Sequence, residues 1–161
     1  PCSVVDVTAR VVRWSQPGED THVLVALLEK TKEKLDREEP GAWMQLVEQR
    51  LGSTAAGEQS IGLLALRLVI EDPAFENFPA VFRLLSPLVQ SPGGAVSHDL
   101  ARVIQLLAAR TPKETTMFLH RILSVTPDRS ILRLVRRCLP AFDPPDQQLL
   151  REAIGAHLGG G

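Results

Sequence analysis

Four arginines, Arg129, Arg133, Arg136 and Arg137, recur at i, i+4, i+7 and i+8. On a helix that spacing brings them to one face. The guanidinium group is planar, forked and permanently charged, so such a row suits bidentate contact with carboxylates or phosphates. Ile131, Leu134, Val135 and Cys138 fall between them and share another face. The segment is therefore predicted to be a helix with a cationic outer side and an apolar inner side. The row belongs to a wider basic block. Residues 101–140 hold eight basic side chains, Arg102, Arg110, Lys113, Arg121 and the four of the row, against two acidic ones, Glu114 and Asp128. The chain as a whole has a formal net charge of −1. Arg129, Arg133, Arg136, Arg137, Arg102 and Arg121 are thus the candidate binding residues. Three readings of the row stay open. It is a solvated face, helped by arginines near helix C-termini where the dipole favours cations; or it meets an acidic protein surface; or it meets a nucleic-acid backbone. Stacking aromatics are not interleaved with it, which disfavours single-stranded nucleic acid.

Other reactive side chains form no constellation. His22, His98, His120 and His157 stand singly, without the i, i+4 pairing of a helical metal site. Cys138 lies on the apolar face of its helix and reads as a buried structural thiol; Cys2 is terminal. The acidic pairs Glu19-Asp20, Glu38-Glu39 and Glu71-Asp72 flank turns or helix ends and read as solubilising charges. Ser91-Pro92-Gly93-Gly94 lacks the Lys-Ser/Thr of a phosphate loop and reads as a connection. No catalytic residue, metal or cofactor is expected.

The elements that must position these residues read as helices. With 161 residues, 44% hydrophobic and 23% charged, the chain has ordinary globular composition for about one domain. Two cysteines exclude a disulfide scaffold. No apolar run approaches the roughly 20 residues that cross a bilayer, and the free thiols with no leader pattern fit a cytoplasmic protein. Apolar residues recur with the helical period, Leu and Ala fill them, and Tyr is absent. Cap-and-proline punctuation is repeated at Thr111-Pro112, Thr126-Pro127 and Asp143-Pro144. Thr111 and Glu114 make a capping box, with Pro112 where its missing N–H costs nothing. Three helices are predicted to start near 111, 126 and 143 and run to about 124, 139 and 158.

Upstream, Ser97 is predicted to cap a helix over 98–110. Asn77 caps one from Phe78 that Pro87 ends or kinks. Residues 61–70 form a central helix, apolar nearly all round. Pro40 opens a helix through Leu51 that Gly52 stops as a left-handed cap. Asp20 opens one over 21–36, and the Val-rich segment 3–14 is also read as helix. About nine helices with short loops make an all-α single domain over 1–158 with a flexible Gly tail at 159–161. Antiparallel helical hairpins stacked as a short HEAT-like superhelix is the preferred architecture, and a closed helical bundle the alternative.

The stretch Asp99-Leu100-Ala101-Arg102-Val103-Ile104-Gln105-Leu106-Leu107-Ala108-Ala109-Arg110, the turn Thr111-Pro112, the helix containing Thr115-Thr116-Met117-Phe118-Leu119 and the segment 131–137 carry a resemblance. From 72 to 154 the chain resembles the HEAT-like helical family that includes DNA alkylation repair proteins. The resemblance implies an all-helical, superhelical fold. It does not imply glycosylase activity, because Trp14 and Trp43 lie outside the resembling stretch and match no motif of the repair enzymes. The expected function is a non-enzymatic interaction or scaffold module presenting the arginine face to an acidic protein partner. The alternative is a DNA-binding or DNA-repair protein. An enzyme would need convergent polar groups in a deep pocket.

Overall fold

A computed structural model of the chain describes residues 21–39, 41–90, 94–125 and 128–159. The expected helix over 3–14, Trp14, Cys2 and the cap or opening residues Asp20, Pro40, Thr126 and Pro127 lie outside the described residues. Among those described, the fold is all-helical and contains no strand. Two compact units divide between Val69 and Ile70.

In the first unit, α1 (Thr21–Glu38) packs on α2 (Ala42–Leu51), and α3 (Ala56–Glu71) follows, its last two residues, Ile70 and Glu71, belonging to the second unit. Its core is aliphatic around one aromatic: Leu28, Leu35, Trp43, Leu46, Val47 and Leu51, with Ile61 to Leu66 of α3. The Trp43 indole N–H is satisfied by the Ala65 carbonyl at 3.1 Å, so the large ring is buried without stranding its donor. The nearly all-round apolar surface predicted for α3 is buried as expected. Gly62 is a point of close approach. A Cβ there would lie 2.9 Å from Leu51 Cδ2 and 3.0 Å from Arg50 Cβ.

The cap assigned to Gly52 is corrected. Gly52 stays right-handed at φ −78°, its N–H bonded to Glu48 O at 3.0 Å. The left-handed glycine is Gly41, at φ 91°, on the other side of α2. Only residues 39–41 separate α1 from α2, and the backbone there must reverse within a turn that an L side chain resists.

The second unit contains α4 (Phe78–Gln90), α5 (Ser97–Arg110), α6 (Pro112–Val125), α7 (Arg129–Cys138), a 3-10 turn (Leu139–Ala141) and α8 (Pro144–Gly159). Helix α6 is central, packing on α4, α5, α7 and α8, while α5 also packs on α7. Leu85, Leu100, Val103, Ile104, Leu107, Leu119, Leu123, Ile131, Val135 and Leu150 are inaccessible. The starts and ends expected for α6, α7 and α8 hold to within about three residues.

Three details differ. Ser97 is the first helical residue rather than the cap; Val96 takes the cap position and its carbonyl accepts from Leu100 N–H. Of the two outcomes expected at Pro87, an end or a kink, the end does not occur: α4 continues to Gln90, where the buried Leu88 and Val89 hold the last turn by packing. The first helical residue of α7 is Arg129, and its cap is Asp128, whose carboxylate accepts from Ser130 N–H.

The α5–α6 connection is Thr111 alone. Its N–H bonds Leu107 O at 2.7 Å, closing α5. Its carbonyl accepts from Thr115 N–H at 3.1 Å and from Thr115 Oγ1 at 2.7 Å, opening α6. Its hydroxyl donates to the Glu114 carboxylate. The capping box is thus altered: the Thr111 N–H is already used by α5, so Glu114 takes the hydroxyl instead. That bond first, and then Glu114's own backbone N–H, hold its carboxyl below the ordinary carboxylate range. Lys113 and the buried Asp146 pair at 3.1 Å, tying the first turns of α6 and α8.

Arg110, a member of the basic block, is a structural clamp. Its guanidinium donates to the carbonyls of Ile70, of Asp72 at 3.0 Å and of Phe75 at 3.1 Å, and lies over the Phe78 ring at 5.3 Å. The last carbonyls of a helix have no partner within it. Arg110 supplies one to the end of α3 and holds the chain that leads into α4.

Candidate functional site

Helix α7 is short, and its chemistry is divided sharply between two faces. Asp128 caps its start, and Arg136 and Arg137 occupy its last turn, so both ends complement the helix dipole. Ile131, Leu132, Leu134, Val135 and Cys138 are buried. Cys138 Sγ points to Ala101 O at 3.8 Å, and Gln105 Nε2 donates to Arg137 O at 3.5 Å. These contacts seat α7 on α5 and turn Arg129, Arg133, Arg136 and Arg137 outward, where all four are exposed. None of the four is ion-paired among the described residues. Arg102 is exposed on α5, one turn before Gln105.

The row also gains a neighbour that sequence reasoning missed. Arg136 and Arg151 of α8 line a shallow hollow of about 320 Å³ together with Leu139, Ile154 and Gly155. Arg151 lies outside the basic block and next to Glu152. Only the packing of α8 brings it to Arg136.

Arg121 stands apart from the row. It lines a groove of about 640 Å³ between α4 and α6, with Arg83, Phe82 and Phe118. The two rings meet at 4.9 Å between centroids. Phe82 and Phe118 are 36 positions apart, and nothing local in either helix announces the pairing.

Burial pushes the Cys138 thiol up to about 12, against a smaller opposing effect of the Arg137 charge. The structural reading of Cys138 therefore holds. In the native protein Cys138 is expected to resist iodoacetamide, and to react once the chain is unfolded; peptide mapping by mass spectrometry reads both states. The pH dependence follows in sign. The unfolded thiol ionises near 9.0 and the buried one does not, so this contribution to stability is whole below pH 9.0 and is lost as pH rises toward about 12.

Among the described residues no group of three or more His, Cys, Asp or Glu side chains could hold a metal ion. His98 is exposed and His120 half-buried, each alone. No described helix is long and apolar enough to cross a membrane. In comparisons with protein-family models, curated proteins and solved structures, nothing matches the chain.

Proposed function

We propose that the chain is a non-enzymatic helical interaction module whose α7 arginine face binds an acidic protein surface. The observation that carries this reading is the outward row itself. Four arginine side chains are exposed on one short helix and unpaired among the described residues, and Arg151 lines a hollow with Arg136. Concentrated charge of one sign costs self-repulsion and is compensated when a complementary surface arrives. A stacked-hairpin, HEAT-like architecture fits the same reading. Within residues 70–161 the second-neighbour pairs α4–α6, α5–α7 and α6–α8 all pack, the pattern expected of successive hairpins laid side by side.

The test is a double charge reversal, Arg133→Glu with Arg136→Glu. Both side chains are exposed, so helicity and melting temperature should stay within the small range usual for surface changes, about 0.5 kcal/mol. Binding to polyglutamate at low salt should fall by about tenfold or more. Loss of helicity would make the row structural. Tighter binding to duplex DNA than to polyglutamate, with a steep salt dependence, would favour the alternative DNA-binding reading.

A further inference from the structure

We infer that the groove between α4 and α6 is a second docking site, built to receive one amphipathic helix of a partner protein whose apolar stripe is flanked by carboxylates. It does not rest on the α7 row, since Arg121 is the only member of the candidate set that lines it.

The shape of the groove carries the first part. On α4 the lining residues are Pro79, Phe82, Arg83, Ser86, Pro87 and Gln90, at i, i+3, i+4, i+7, i+8 and i+11. On α6 they are Phe118, Arg121, Ile122 and Val125, at i, i+3, i+4 and i+7. The walls are therefore stripes along two helices. The longer extends about 16 Å at 1.5 Å per residue, about three turns of a helix laid in the trough. The groove is partly open to solvent and its walls run along both helices, which suits an elongated occupant. Helix-in-groove recognition uses anchors at i, i+3, i+4 and i+7 over the same span.

The floor and rim carry the second part. Phe82 and Phe118 form an aromatic base, the residue type that most often anchors interfaces. Val125 is 74% exposed and the adjoining Met117 62% exposed, so α6 presents apolar side chains to water on this side. Arg83 and Arg121 stand on opposite walls, both exposed, and among the described residues neither has an ion-pair partner and no acidic residue lines the groove. Complementarity then fixes the occupant as apolar along its centre and acidic along both edges. A basic amphipathic helix would place like charges against both walls.

The whole chain is panned against a library of helical peptides with apolar residues fixed at i, i+3, i+4 and i+7 and with flanks varied among Glu, Lys and Gln. Glu-flanked peptides should be enriched. Arg83→Glu with Arg121→Glu should weaken the best of them by about 30-fold, and a Lys-flanked version of that peptide should recover the loss. Ser86→Trp, which fills the trough from an α4 wall, should abolish binding without touching the charges. Enrichment of Lys or Gln flanks, no enrichment at all, or binding unchanged in the charge-reversed variant would overturn the inference. Self-association of the free chain that the same reversal abolishes would also overturn it, by giving the groove to a second copy.

Discussion

Replacing Arg110 by Ala is expected to destabilise the 70–161 unit by about 2–3 kcal/mol, the range for removing a charged donor from several carbonyls at once. In a unit of this size the loss lowers the melting temperature by about 10 °C or more. The Ile70 and Phe75 carbonyls lose the guanidinium donor, the Asp72 carbonyl is left with the Phe75 N–H alone, and the Phe78 face loses its cation. Lysine keeps the charge but not the fork, so Arg110→Lys should recover less than half of the loss. Circular-dichroism melts of the two variants beside Arg133→Ala test this. The exposed Arg133 should change stability by no more than about 0.5 kcal/mol. Equal effects at 110 and 133 would show that the clamp contributes nothing.

Gly62→Val should destabilise the first unit by about 2–4 kcal/mol. Overpacking against Leu51 and Arg50 is the main cause, since the Cβ itself already crowds both and two further methyls add volume at the same point. Gly62→Ala is a finer test. Alanine gains up to about 1 kcal/mol in helix propensity over glycine, yet its methyl would sit 3.0 Å from Arg50 Cβ, which a rotamer change cannot move. A net loss is therefore expected at Gly62. At Gly57 and Gly155, also helical but with nothing within 4 Å, the same change should stabilise by about 0.5–1 kcal/mol. Urea titration of the three alanine variants separates the signs. On the Gly62→Ala background, Leu51→Ala should cost less than it does alone, since it relieves part of the crowding.

What the sequence made legible was set by neighbours along the chain. Pro112 and Pro144 open helices because a missing N–H and a fixed φ act on the residue that carries them. The two faces of α7 follow from period alone, and so does the burial of Cys138. The misplaced details depend on how the surrounding chain turns or packs. Both Gly41 and Gly52 flank α2, and the short connection to α1 decides which one turns left-handed. Pro87 carries the local signal for a helix end, and the burial of Leu88 and Val89 overrides it.

The site divides in the same way. The row at 129–137 is a local pattern and was visible. Arg151 beside Arg136, and Phe82 against Phe118, exist only after α8 and α4 have packed. Arg110 looked like one more member of a cationic block. Its role depends on carbonyls from 35 to 40 positions earlier, for which no spacing rule prepares the reader.

The single-residue joint at Thr111 has a mechanical consequence. With its N–H committed backward and its carbonyl committed forward, it leaves no slack in which neighbouring rods could swing independently. The ends of α5 and α6 are thereby fixed to each other at a joint one residue long. Extra residues spliced into that corner would break the closing bond of one helix and the opening bonds of the next at once.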